Sequence, residues 1–535
     1  MPLSPLSLVQ NFSARWWVTG FVVAALLGAQ AQAQTQSAPR FASPILPADH
    51  WAVDAARRAV VVGLAPAGFA WGEGTLTQGV AGWALYEASE RARQTASPLA
   101  NITAGEWRRF VREFPAVAAR LVSELDRGKR SSTAGTTMPF SASMDGRFVT
   151  ETGRLLPVRS LDRTRENVSP PVPLSDLDDG ELELRVGTIA GQYVAGEVAG
   201  GRNDERWQIH DWHVMAQAKS IEAWVGERAP ELGPGVGGGL VIDGRAVFGG
   251  GGFGFANPVR APWIFRHLGY INGEAFLSRI DSSAATRHPW VFASHLSFSP
   301  HRRLLLGATQ AFMFGGDGVA PFTFRNFKEM FLTHGIKTAG TEFENGIASV
   351  EARWRPPVPV VPVVLYAEWA SDDNHGAWFK FPAIVAGASV PSIPGIPGLA
   401  IGLEHASFAK PCSSCNGCAC NFYATWYRHY VFMDGWTLDR RPIGHPLGGD
   451  GTEWLAYGRY DDAPRRIRLD ARVFARDRGR YNIFAPTLEG RSVGGALAAD
   501  YRLTDAVELR LAGDLEHGRA DWSSSSFRAG VRWVP

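Results

Sequence analysis

Arg466-Ile467-Arg468-Leu469-Asp470-Ala471-Arg472-Val473 alternates charged and apolar side chains without a break. A period of two places Ile467, Leu469, Ala471 and Val473 on one face of an extended strand and the charged residues on the other. Val507-Glu508-Leu509-Arg510-Leu511 repeats the pattern, as do Val493, Leu497, Ala499 and Tyr501 and the final Phe527-Arg528-Ala529-Gly530-Val531-Arg532-Trp533. Tight turns separate such segments: Asp461-Asp462-Ala463-Pro464, Thr504-Asp505-Ala506 and Ser299-Pro300-His301. These spacings predict antiparallel hairpins. Longer connections alternate with them, at Asp317–Lys337, Ser371–Pro397, Lys410–Cys420 and Asp477–Glu489.

Short turns on one side and long loops on the other are the pattern of an outer-membrane barrel, with its apolar face outward. A soluble β-sandwich alternates equally well, so other features must decide. Arg15 is the only charge before Arg40, and a short apolar stretch, Trp16 to Leu27, precedes Ala29-Gln30-Ala31-Gln32-Ala33. This reads as a signal peptide over 1–33. Tyr501, Trp454 and Trp533 fall near strand ends, and the last strand closes on Trp533-Val534-Pro535. The fold class expected is therefore mainly β: a large antiparallel transmembrane β-barrel of about 16–18 strands, at roughly ten residues per strand.

Upstream the period changes. His50-Trp51-Ala52-Val53-Asp54-Ala55-Ala56-Arg57-Arg58-Ala59-Val60 is helical in spacing, with Gly63 as its stop. A second helix opens at Leu76-Thr77-Gln78. Thr103-Ala104-Gly105-Glu106 has the form of a capping box opening a third. The expected organisation is a small periplasmic α-helical domain over 45–125, a linker over 126–180 with room for a first strand, and the barrel over 181–535. The linker is polar, and Pro170-Pro171-Val172-Pro173 bars helix from it.

Composition narrows the function classes. The chain has 535 residues, 45% apolar, with 19 Trp, 11 Tyr, 30 Phe and 59 Gly. A mean hydropathy of −0.10 excludes a helical membrane bundle. A net charge of +2 argues for no nucleic-acid partner. His295, His301, His334, His375, His405, His429 and His445 are scattered, and no His-Glu-x-x-His helix is present; Gly490-Arg491-Ser492-Val493-Gly494 spells Gly-x-Ser-x-Gly, but it opens an alternating strand and not the strand-to-helix turn that a nucleophile elbow needs. No catalytic residue, metal site or cofactor is assigned. Cys412, Cys415, Cys418 and Cys420 form one cluster. In an oxidising compartment they read as two local disulfides, with three pairings open, while a zinc or iron–sulfur site is the alternative.

Ala48–Val53, Leu232–Ile242 and the stretch from Tyr427 to Gly451 stand out as short motifs, and together they resemble the Wzi family of outer-membrane capsule assembly proteins. Ala48-Asp49-His50-Trp51-Ala52-Val53 with Gly63-Leu64 is similar to the opening of that family's helical region, and faintly to an S-layer-homology helix pair. Leu232-Gly233-Pro234-Gly235-Val236-Gly237-Gly238-Gly239-Leu240-Val241-Ile242 resembles its Gly-Pro-Gly stretch, here with Trp224 standing alone. Tyr427-Arg428-His429-Tyr430, Asp434-Gly435-Trp436 and Gly444-His445-Pro446-Leu447-Gly448-Gly449-Asp450-Gly451 resemble its late-barrel segment. The Cys cluster is outside the pattern. The resemblance implies a monomeric outer-membrane lectin that binds and organises exported capsular or exopolysaccharide, with peptidoglycan or periplasmic export machinery as further partners. Sugar rings offer C–H faces and hydroxyls, so the candidate glycan-binding residues are Trp378 and Phe379 beside Asp373 and Asn374, Tyr423 and Trp426 after the cysteines, and Trp436 and Asp450 of the motif. Each aromatic could instead be a membrane girdle or plug residue. A porin or channel for small solutes and a wall-anchored structural barrel are the competing functions.

Overall fold

The computed structural model describes residues 39–47, 50–66, 69, 71, 75–127, 140–153, 177–203, 206–244, 246–280, 288–317, 319, 323, 326, 344–358, 361–372, 382–408, 426–429, 432, 435–438, 441–462, 466–484, 488–519 and 522–534. Among the described residues four α-helices precede the strands: α1 (Trp51–Val61), α2 (Gln78–Gln94), α3 (Ala100–Glu113) and α4 (Pro115–Arg127). Barrel strands follow: β1 (Phe140–Gly153), β2 (Leu177–Ala190), β3 (Val194–Asn203), β4 (Arg206–Ala218), β5 (Ile221–Arg228), β6 (Phe248–Phe255), β7 (Tyr270–Arg279), β8 (Trp290–His301) and β9 (Leu304–Phe314). The second half comprises β10 (Glu344–Trp354), β11 (Val364–Asp372), β12 (Ala383–Val390), β13 (Leu399–Phe408), β14 (Gly451–Asp462), β15 (Ile467–Arg478), β16 (Gly490–Arg502), β17 (Val507–Gly518) and β18 (Trp522–Trp533). Each strand pairs antiparallel with its neighbour, and β1 pairs with β18, so 18 strands close on themselves. Closure removes the free edges that an open sheet would have to protect.

The alternation expected from the sequence holds. On β15, Leu469 and Val473 are exposed outward while Arg468, Asp470 and Arg476 turn in. Leu509, Leu511 and Leu515 on β17 and Phe527, Val531 and Trp533 on β18 continue the apolar outer belt. Helix starts are partly as expected. The Thr77 side chain caps α2 by accepting the Val80 N–H. Thr103 is no cap: α3 begins at Ala100, and the Thr103 hydroxyl donates back to the Leu99 and Ala100 carbonyls. Glu106, expected to close a capping box, is buried against Arg58 of α1 instead.

Two strand assignments are corrected. The stretch Ser371–Pro397 is not one loop, because β12 lies within it. The strand that could follow the cysteines over Phe422–Phe432 is not seen among the described residues of that stretch: Trp426 and Tyr427 are buried inside the barrel, and the next described wall strand is β14. Also, β1 lies within 126–180 and β2 starts there.

The short connections, such as Gly191–Tyr193, Lys219–Ser220, Arg302–Arg303 and 503–506, share one end of the barrel. The helices dock at that end. Asp54 of α1 bridges Arg459 at 2.5 Å and Arg468 at 2.7 Å, while Arg109 of α3 pairs with Glu508 and Arg112 with Asp505. Arg355 donates to the carbonyls of Val60 and Val61 at the end of α1, at 3.0 and 2.6 Å. Ile189 and Ala195 of the wall join the helical core.

Glu113 is the centre of this docking. It accepts from Trp51 Nε1 at 2.7 Å and from Arg532 of β18 at 2.6 Å, and meets His50 Nε2 at 3.0 Å. His50 Nδ1 accepts the Ala52 N–H at 3.2 Å, which caps α1 and uses the neutral ring. Burial holds His50 below the usual imidazole range despite the pull of Glu113. Burial alone would raise Glu113, but Arg532, His50 and Arg109 outweigh it and hold its carboxyl well below the usual range. Both groups thus bind fewer protons folded than unfolded, and docking strengthens as pH rises. It is complete above about pH 6.5, the unfolded imidazole value, and weakens as pH falls, first through His50 and then through Glu113. Backbone amides of α1 and α3 should exchange faster at about pH 5 than at about pH 7.5 once intrinsic rates are removed, and His50→Asn should flatten the upper part of that dependence. Unchanged protection across the range would refute the assignment.

Candidate functional site: the lumenal plug and the surface above it

The other end carries the long connections, 154–176, 229–247, 315–343 and 409–450. Two of them enter the barrel. After β5 the chain dips inward, and Glu231 reaches Arg57 of α1 at 3.1 Å. The Gly-rich stretch that follows lies against wall carboxylates. Glu404 of β13 accepts the Val236 and Gly237 N–H groups at 2.7 and 2.8 Å and the Tyr366 hydroxyl at 2.8 Å. Glu368 of β11 accepts the Leu240 N–H at 2.9 Å, and Arg353 donates to the Gly233 carbonyl at 2.9 Å. Charged acceptors for buried backbone donors make strong hydrogen bonds. The glycines permit the close approach: a Cβ on Gly239 would collide with the carbonyl oxygens of Leu232 and Ile242.

The described residues of 426–450 pack on this stretch as its second half. The Tyr427 hydroxyl donates to the Leu240 carbonyl at 2.5 Å and accepts the His445 N–H at 2.9 Å. Trp436 Nε1 donates to the Val241 carbonyl at 2.9 Å, and Asp243 N–H to the Ile443 carbonyl at 3.0 Å. Leu240, Val241, Ile242, Trp426, Trp436 and Ile443 form one apolar core with the inward faces of β7–β13, including Val291, Met313, Ile347, Val385 and Phe408.

Beyond that sector, from β14 round to β17, the inward wall is charged. Arg476 of β15 pairs with Glu453 of β14 and with Glu516 of β17 at 3.1 Å, and Arg478 meets Glu516 at 3.0 Å. Between this side and the helices remains a cavity of about 130 Å³, lined among others by His50, Trp51, Arg109, Arg185, Asp470 and Arg532. Among the described residues no group of acidic, histidine or cysteine side chains could hold a metal ion.

The sequence-expected site residues separate into two sets. Trp378, Phe379, Tyr423 and the four cysteines, Cys412, Cys415, Cys418 and Cys420, lie outside the described residues. Trp426 and Trp436 are 2% and 0% exposed, so neither offers a ring face to a ligand here; both fill the plug. Asp450 is buried too, and its carboxylate accepts the Tyr481 N–H at 3.1 Å, fixing the β15–β16 loop over the plug. The surface this creates was not read from the sequence. Arg428 and Arg480 are exposed and Tyr481 half-buried. The Arg480 guanidinium lies 4.6 Å from the Tyr481 ring and donates to its hydroxyl at 2.7 Å, and Arg428 donates to the Asn482 carbonyl at 2.6 Å. An aromatic face bordered by guanidinium donors is a surface that can take ring C–H groups and hydroxyls together.

The model of the capsule assembly protein Wzi family matches residues 176–528. The chain belongs to that family. Among solved structures it is similar to Wzi of Escherichia coli, described as an outer-membrane carbohydrate-binding β-barrel involved in group 1 capsule assembly. That likeness has 18% identity and a TM-score of 0.64, covering 92% of this chain and 99% of that one. Pseudomonas aeruginosa OpdQ is a weaker likeness, at 10% identity and a TM-score of 0.44 over 74% of this chain and 98% of that one. No curated protein sequence matches significantly. As a Wzi-family barrel the chain is an outer-membrane protein, and its family is one of capsule assembly and not an enzyme class.

Proposed function

We propose that this chain binds exported capsular or exopolysaccharide and organises it at the cell surface, as a monomer without catalytic chemistry or cofactor. Family membership carries the reading, together with the carbohydrate binding described for the E. coli relative. The short-turn end, with the helices, is assigned to the periplasm, because outer-membrane barrels turn tightly there and loop long outside. Peptidoglycan or the export machinery would then be within reach of the helices. Glycan contacts are assigned to the long-loop end: Trp378, Phe379 and Tyr423, joined by Arg428, Arg480 and Tyr481. Trp426, Trp436 and Asp450 are assigned to hold the platform beneath them. The filled lumen speaks against the porin reading, since the plug and helices occupy the path a solute would take.

Deletion should leave polymer synthesis intact and release the polymer into the medium. Purified protein carrying Arg480→Ala with Tyr481→Ala should retain heat-modifiable mobility but bind the polymer about tenfold more weakly, on the order of 1.4 kcal/mol. Polymer retained on deleted cells would defeat the proposal, and wild-type binding by the double variant would defeat the site.

A further inference from the structure

The connection between β6 and β7, residues 256–269, is the longest described excursion at the short-turn end, and it is built differently from the others. After Val259–Arg260 pairs with the start of β7, the chain forms a short 3-10 turn, Trp263–Leu268. Leu268 packs into a cluster with Phe255, Ala261, Ile271, Leu296 and Phe298. Ile271 shares its strand face with the exposed Leu277, and Leu296 and Phe298 share theirs with the exposed Trp290. The turn therefore lies over the outer wall of the barrel, not under its mouth. Its remaining apolar side chains are exposed: Trp263 is 84% exposed, Ile264 78% and Phe265 42%. Arg260, Arg266 and His267 are exposed beside them.

Leaving three large apolar side chains in water is costly for a surface that has no other use for them. What adjoins them is the lipid belt. Tyr193, Trp354, Tyr501 and Trp533 stand exposed at this same end of their strands, at the level where barrels carry an aromatic girdle. We propose that Trp263–Leu268 is an interfacial anchor: Trp263, Ile264 and Phe265 enter the acyl–headgroup boundary of the phospholipid leaflet, and Arg260 and Arg266 meet the lipid phosphates. A rigid wedge outside the wall holds the barrel's height and tilt in a way that the strand-borne girdle alone does not. The choice of leaflet rests on the orientation proposed above, and the asymmetric outer membrane lets the two be tested apart.

The experiment places a photo-reactive benzoylphenylalanine at Trp263 in the full chain and irradiates growing cells; position 264 serves if the first variant does not fold. The expected product is a heat-modifiable barrel bearing a phospholipid, identified by mass. A lipopolysaccharide adduct overturns the leaflet and with it the orientation, while membrane contact stands. A protein adduct, or none from a folded barrel, overturns the anchor and leaves the orientation untouched.

Discussion

Val473→Arg is expected to cut folding into lipid sharply, whereas Ile467→Arg and Leu509→Arg are expected to be nearly neutral. All three positions lie on the outer face, but the register places them at different depths. Ile467 and Leu509 both stand opposite Tyr501 in the aromatic level near the short turns. An arginine there reaches the headgroups at a cost of about 0–1 kcal/mol. Val473, 61% exposed, pairs with Ala456 and Gly495 near the middle of its strand, and the same register continues to the exposed Leu515 on β17. A guanidinium at the midplane costs about 2–4 kcal/mol, a large share of the net stability of a folded chain. Heat-modifiable mobility after refolding into vesicles measures it. Equal yields for Val473→Arg and Ile467→Arg would mean that the outer face is not in lipid as assigned.

The inward face reverses an expectation. Alternation alone suggests that Arg468→Ala is mild because the lumen is wet. In the folded chain Arg468 is the partner of Asp54 and of Asp470. Its removal leaves Asp54 and Asp470 to share the one guanidinium of Arg459, so weakened helix docking is the expected outcome, and not silence.

Trp436→Ala is expected to open the lumen. The ring is fully buried at the centre of the plug, and its Nε1 holds the Val241 carbonyl. Truncating a buried tryptophan costs about 3–5 kcal/mol, and the lost hydrogen bond leaves a buried carbonyl unpartnered. Closed outer strands do not depend on this contact, so the loss falls on the plug. Planar-bilayer recordings should show frequent ion-conducting openings in the variant and few in the parent. Trp454→Ala, on the outer face and 54% exposed, should behave like the parent. Indistinguishable conductance in all three would remove the plug from its gating role.

Several features were legible in the linear chain because they are local. Period two in Arg466–Val473 marks the facing of a strand, since successive side chains must point to opposite sides. Period 3.6 in His50–Val60 marks α1, and Thr77 marks the start of α2 through its own hydroxyl. Thr103 misled because its spacing to Glu106 is a cap only if the helix begins there. Leu99 and Ala100 extend the turn upstream, and Arg58, distant in sequence, takes the glutamate.

Local periodicity and turn spacing thus set the class of fold, the apolar outer belt and the helical segment ahead of it. Tertiary structure alone decided what the inward residues meet. Nothing in the linear chain sets Glu404 and Glu368 apart, yet they hold the amides of Val236, Gly237 and Leu240. Trp426 and Trp436 read as loop aromatics open to a sugar, yet they are core. The physical reason is that alternation specifies which side of a wall a residue takes, while the occupant of the enclosed space is set by which distant segment folds back and satisfies its buried groups.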